Sequence, residues 1–178
     1  MSVSNPDGYP LDSVSAYPAR EIAAAWARER PGTPTGSIGV VTPLWRLAKL
    51  FGDDRRRVLA EAGVSPATLD LLGVLRRSGP PYTLDTRELA ARTLVTAGAI
   101  SQRVGRAEKE GLVVRRPGTD RAREVLVALT EAGHALIERT VDQVLTREAS
   151  LVDGLTDEQQ RQLGELLELL LDQVRRRV

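Results

Sequence analysis

The chain has 178 residues, 42% of them hydrophobic and 28% charged, which is enough for one ordinary domain or two very small ones with a buried core. Aromatic residues make up 3%, so that core has to be aliphatic. There is no cysteine and a single histidine, His134. This excludes disulfide scaffolds, thiol nucleophiles, and thiolate or multi-histidine metal sites. The opening MSVSNPDGYP has no basic or apolar signal-peptide region, and no apolar run approaches the roughly 18 residues a membrane span needs. The expectation is a soluble cytoplasmic protein with no membrane partner and few means of catalysis.

The net charge of +1 is unevenly distributed. Residues 1–86 carry ten basic and nine acidic groups, residues 87–130 nine and five, and residues 131–178 six and ten. A basic middle followed by an acidic end predicts one polyanion-binding face. Of the 25 basic residues, 23 are Arg, a side chain suited to planar contacts with phosphate and guanine. The arginine excess itself is accounted for mainly by codon usage in a GC-rich genome.

In chain order, residues 1–19 read as a flexible tail. REIAAAWARER from Arg20 is helical and stops at Pro31-Gly32-Thr33-Pro34. A long amphipathic helix over 38–62 uses Leu44, Leu47, Leu50, Phe51, Val58 and Leu59, with Gly63 as its stop. Ser65-Pro66 is an N-cap followed by Pro at the first helical position. That helix ends at Ser78-Gly79-Pro80-Pro81. Asp85 and Glu88 have capping-box spacing and open a short helix, RELAART. Leu94-Val95 form a turn, Thr96 caps the next helix, and Gly111 ends it. Leu112-Val113-Val114 and Val125-Leu126-Val127 form a two-stranded hairpin with a basic tip. Thr130 caps a long helix that reaches about Val152. Thr156 with Gln159 opens the last helix, which carries Leu163, Leu166, Leu167, Leu170, Leu171 and Val174.

The predicted fold is therefore mainly α with a small β-wing. A winged helix-turn-helix over 65–130 follows N-terminal helices over 20–64 and precedes C-terminal dimerisation helices over 131–178. The leucine stripes exceed what one small winged domain covers, so a two-fold homodimer is expected. It would place two recognition helices about 34 Å apart, one turn of DNA.

Helix geometry sorts the second helix of this unit. At about 100° per residue, Ile100, Val104 and Ala107 fall on the core side. Gly98, Gln102, Gly105, Arg106 and Lys109 fall on the other. Gln102 suits adenine, Arg106 guanine and Lys109 phosphate. Thr96 and Ser101 lie towards the N-terminal end, where such helices meet base edges and phosphates. A glycine at 105 costs about 1 kcal/mol against alanine; it either admits a groove wall or relieves crowding against another helix. Arg103 lies at the margin of the core stripe and needs an anion or a polar cavity. It either pairs with an acid such as Asp70, itself out of place in LDLLGVL, or the pair lines a pocket at the base of the helix. Arg121 and Arg123 flank the wing tip, where arginines enter a minor groove. His134, just after the cap, reads as a surface residue without a role.

Residues 20–176 resemble the MarR family of winged-helix transcription regulators, through RELAARTLVTAGAISQRVGRAEKEGLVVRR, the DRAR wing and VLVALTEAG. The resemblance implies homodimers on palindromic double-stranded operators, usually repressing, and in many cases released by small anionic or phenolic ligands. The family wing commonly carries Asp-x-Arg. Asp120-Arg121-Ala122-Arg123 places Arg123 at the Arg and displaces the Asp by one residue. A finer resemblance is to the urate-responsive branch, which has an extra N-terminal helix. Trp26, Asp70, Arg103 and Arg115 match its ligand-binding positions. The resemblance implies an anionic ring stacked near Trp26, paired with Arg103 and Arg115 and displacing Asp70. No cofactor or metal is implied. The sequence offers no nucleophile–base pair and no phosphate-cradling loop, so an enzyme is not expected.

Overall fold

The computed structural model of the protein describes residues 17–118 and 125–177. Most of the expected tail, and the wing tip with Asp120, Arg121, Ala122 and Arg123, lie outside them. The helices are α1 (Ala19–Glu29), α2 (Ile38–Glu61), α3 (Pro66–Arg77), α4 (Thr86–Thr93), α5 (Ala97–Lys109), α6 (Glu131–Val152) and α7 (Asp157–Arg175). The strands are β1 (Thr83–Asp85), β2 (Val113–Pro117) and β3 (Val125–Leu129). No single helix among the described residues is long and apolar enough to cross a membrane. The chain divides into two compact units, Met1–Val58 and Leu59–Val178.

The first unit contributes α1 and most of α2. Helix α1 starts after Pro18, whose extended backbone precedes the first turn, and buries none of its residues. Val40, Val41, Leu44, Trp45, Leu47 and Leu50 are exposed apolar positions of α2.

The second unit holds the winged helix-turn-helix. Its helices begin where a side-chain oxygen accepts an otherwise unpaired amide of the first turn. Ser65 Oγ accepts from Thr68 N at 3.1 Å, Asp85 Oδ1 from Glu88 N at 2.7 Å, and Thr96 Oγ1 from Ala99 N at 3.3 Å. Thr130 Oγ1 accepts from Gly133 N at 3.0 Å. Thr156 and Gln159 complete a reciprocal box at 3.3 and 2.9 Å. The core is aliphatic, as the composition requires. Leu71, Leu72 and Leu75 of α3 are sealed from solvent against Leu89 of α4, Ile100 and Val104 of α5, Val127 of β3 and Ile137 of α6.

The sheet is antiparallel with order β1-β3-β2, so the expected pair of strands, β2 and β3, is extended by β1 on the free side of β3. Leu84 of β1 and Arg115 of β2 both lie opposite Val127 of β3. Asp85 ends β1 and in the same position caps α4. Helix α5 runs into β2 through Gly111, whose φ of +72° suits a residue without a Cβ. The start of α6 is fastened to that turn. Thr130 Oγ1 donates to Gly111 O at 2.7 Å and Thr130 N to Leu112 O at 3.1 Å. A Cβ on Gly133 would lie 2.1 Å from Leu112 O, so only glycine fits there.

His134 departs from the sequence expectation, whereas Leu94 lies in the expected turn with an unexpected backbone conformation. His134 is half-buried, with its ring edge-on to Tyr82 at 4.6 Å between centroids, and Arg76 lies over the same tyrosine ring at 4.7 Å. Leu94, in the turn after α4, adopts the left-handed conformation, which costs an L-residue about 1–2 kcal/mol. Helix α7 buries none of its residues; Leu163, Leu166, Leu167, Leu169, Leu171 and Val174 are exposed.

Candidate nucleic-acid interface

Helices α4 and α5, joined by the Leu94–Thr96 turn, form the helix-turn-helix. Buried Ile100, Val104 and Ala107 seat α5 on the core. Gly98, Ser101, Gln102, Arg106 and Lys109 are exposed along its outer side, and Thr96 is exposed at its cap. This face presents an amide, a hydroxyl, a guanidinium and an ammonium over three turns, a set able to read base edges and neutralise phosphates. Gly98 has no atom within 4 Å of where a Cβ would sit.

Within the protein, the neighbour of Gly105 is a side chain of the wing and not another helix. A Cβ there would stand 3.2 Å from Nη2 of Arg115, which reaches back from β2 across the helix. Arg115 Nη2 donates to Ser101 O at 3.3 Å, and its Nε lies 3.4 Å from Glu108 Oε2. Its backbone amide donates to Glu108 Oε1 at 3.3 Å. Arg115 thus ties the root of the wing to the Ser101–Gly105–Glu108 side of the recognition helix. Glu108, which the sequence reading passed over as one charge among many, is its partner. Arg115 also borders an open cleft of about 390 Å³ with Arg87 on its rim and Ala90, Ala97, Ile100 and Val104 below. Arg87 and the exposed Arg116 add positive charge that the sequence reading did not assign.

Arg103 lies on the other side of α5. Ser101 and Arg103 are separated by about 200° around the helix axis. Arg103 borders an open cleft of about 190 Å³ between α3 and α5, with Ser65, Thr68, Gln102 and Arg106. Its Nη1 lies 3.9 Å from Asp70 Oδ2. That nitrogen is buried yet makes no hydrogen bond. Asp70 is itself exposed. The structure therefore brings Asp70 and Arg103 together and leaves Arg115 on the opposite flank. Trp26 belongs to the first unit and is 52% exposed. No group of three or more histidine, aspartate or glutamate side chains among the described residues is placed to hold a metal ion.

A helix-turn-helix seated on a three-stranded wing, with a polar and cationic recognition helix, defines a winged-helix nucleic-acid-binding protein. Residues 62–124 match the model of the MarR family. The chain is 27% identical over 147 residues to the HTH-type transcriptional regulator PecS of Dickeya dadantii, covering 83% of this chain and 89% of PecS. It is 35% identical over 105 residues to an uncharacterised HTH-type transcriptional regulator of Bacillus cereus, covering 58% and 67%. Among solved structures, a MarR family transcriptional regulator from Streptomyces coelicolor in complex with DNA is 30% identical, with a TM-score of 0.64 over 75% of this chain and 90% of that one. NadR in complex with 4-hydroxyphenylacetate is 26% identical, with a TM-score of 0.58 over 72% and 89%. The chain belongs to the MarR family of DNA-binding, winged-helix transcriptional regulators. PecS, the Bacillus cereus relative and the Streptomyces coelicolor protein are each described as transcriptional regulators.

Proposed function

We propose that this protein is a homodimeric repressor that binds a palindromic operator and leaves it when a small anionic ligand binds. The observation that carries the DNA reading is the exposed row of Gln102, Arg106 and Lys109 on a helix whose opposite side is locked into the core. Gln102 and Arg106 reach base edges, Lys109 takes phosphate, and Thr96, Gly98 and Ser101 let the helix N-terminus approach the groove. Arg121 and Arg123 of the wing enter the flanking minor groove. The exposed leucines of α7 supply the apolar surface for a second copy, consistent with a two-fold dimer on two half-sites.

The ligand reading rests on Arg103. A buried guanidinium nitrogen without a hydrogen bond is costly, and a carboxylate or an enolate-like oxygen would satisfy it. An aromatic acid or a urate-like ring entering the cleft would compete with Asp70 for Arg103. Because Arg103 is part of α5, moving it moves the recognition helix. Arg115 belongs to the wing clamp rather than to this cleft, and Trp26 is one of two exposed tryptophans of the first unit, with Trp45. The coupling between ligand and DNA is expected at about 1–3 kcal/mol.

The test is a fluorescence titration of the protein with the duplex upstream of its own gene, at two salt concentrations, with and without urate. Salt-sensitive binding of a dimer that urate weakens is the expected result. Binding that is weak and insensitive to salt would refute the DNA reading. Arg103→Ala is expected to keep DNA binding and lose the ligand response. An unchanged response would remove Arg103 from the ligand site.

A further inference from the structure

The turn between α4 and α5 carries two departures at one residue. Leu94 has φ 54° and ψ 39°, the left-handed conformation, and it is 91% exposed. Glycine or asparagine would hold that backbone with less strain. A polar side chain would leave less apolar surface in water. Leucine gains nothing in the core, which Leu89, Ile100 and Val104 close without it. Its position is nevertheless well fixed. Val95 N donates to Ala90 O at 3.2 Å to end α4, and Thr96 Oγ1 accepts from Ala99 N at 3.3 Å to start α5. The isobutyl group is thus held in solvent two residues before the cap of the recognition helix, whose exposed Gly98, Ser101 and Gln102 follow in its first turns.

We propose that Leu94 is a specificity-determining contact, packing on the 5-methyl group of a thymine at the edge of each operator half-site. The thymine methyl is the apolar feature that the major groove displays, and leucine has no hydrogen bond to offer any other base edge or a phosphate. Water leaves both apolar groups when they meet, so the backbone strain and the exposed leucine of the free protein are offset only in the complex. The inference rests on the DNA-binding reading and adds a base preference to it.

The experiment uses the full-length protein and its footprinted operator, with each thymine of one half-site replaced singly by deoxyuridine, which lacks only the methyl. Wild-type protein is expected to lose affinity about fourfold at one thymine, the scale of one buried methyl-sized group. Leu94→Gly, which removes the contact in both half-sites, is expected to bind the unmodified operator about tenfold to twentyfold more weakly, to be indifferent to that replacement, and to melt no lower than wild type. Leu94→Met, which keeps an apolar reach, is expected to retain the sensitivity. Wild-type protein that fails to bind the duplex at all would refute the DNA reading itself. Tight wild-type binding with no thymine dependence, or Leu94→Gly binding as wild type does, would overturn the role of Leu94 alone. Weaker Leu94→Gly binding with the wild-type deoxyuridine pattern would place the contact on the sugar–phosphate and overturn the thymine assignment.

Discussion

Glu108 and Arg115 fasten the root of the wing to the recognition helix. The carboxylate of Glu108 takes the backbone amide of Arg115 at 3.3 Å and lies 3.4 Å from its Nε. Both side chains are partly exposed, so the pair contributes little to folding, about 0.2–1 kcal/mol. Its effect lies in orientation. Glu108→Ala is expected to change the urea midpoint only slightly while weakening operator binding about twofold to fivefold, as the wing loses its angle to α5. Fluorescence anisotropy and equilibrium unfolding on the same sample check this. A large loss of stability with unchanged affinity would show the pair to be a folding contact instead.

Lys109 and Arg106 are expected to separate by salt dependence. Lys109→Gln removes one phosphate contact from each half-site of the dimer, so the slope of log K against log salt should become shallower by about two, with similar losses on every sequence. Arg106→Ala should cost about 1–3 kcal/mol per half-site and relax preference at one base pair of each. The check is a set of binding isotherms at four salt concentrations on the operator and on a scrambled duplex. If both variants lose affinity equally on both duplexes, Arg106 reads no base.

Two glycines on the DNA-binding unit should respond to alanine with opposite signs. At Gly133 the new Cβ would sit 2.1 Å from a backbone oxygen that cannot move aside, so Gly133→Ala should destabilise by about 1–3 kcal/mol or more. At Gly98 the space is empty and the backbone helical, so Gly98→Ala should stabilise by about 0.5–1 kcal/mol. The same change should weaken DNA binding by holding the helix off the groove. Thermal melts and anisotropy on both variants give the comparison; a Gly98→Ala protein that binds as tightly as wild type would remove Gly98 from the interface.

Acidification should act on α7. Arg161, and then Gln162, hydrogen-bond the Glu158 carboxylate and hold it below its ordinary range. A carboxylate so depressed stabilises the fold above its ordinary range, and the contribution is lost as pH falls through the carboxylate range. The group is on the surface, so the effect is small and screened by salt. Circular dichroism melts of wild type and Glu158→Gln should differ at neutral pH in low salt and converge at acid pH. A difference that grows on acidification would reverse the assignment.

Helix starts were legible because each is written locally. Ser65, Thr96, Thr130 and Thr156 are caps whose residue types compete with helical hydrogen bonding everywhere except at a first turn. The inner face of α5 was legible because Ile100, Val104 and Ala107 recur at helical spacing. Strand β1 was not. Three residues after Pro80-Pro81 have no periodicity of their own, and they form a strand only because β3, more than forty residues later, supplies the partner edge. The neighbour of Gly105 was equally hidden, since Arg115 comes from a different element. Asp70 and Arg103 each looked out of place in sequence, and the fold places them together on one flank of α5. Arg115 was grouped with them by resemblance alone, and its distance around the helix axis is a property of the fold that no single position announces.

Asp85 is both the end of a strand and the start of a helix. Side chains alternate faces along the strand and advance by about 100° along the helix, so the two elements keep phase with each other only at one chain length. Substitutions on either side of this joint alter energies. A single-residue insertion or deletion between Thr83 and Glu88 would turn Leu84 out of the sheet's buried side or swing Leu89 away from the core. Length, more than identity, is therefore what this segment has to conserve, and lineages of the protein should accumulate replacements here without gaining or losing a residue.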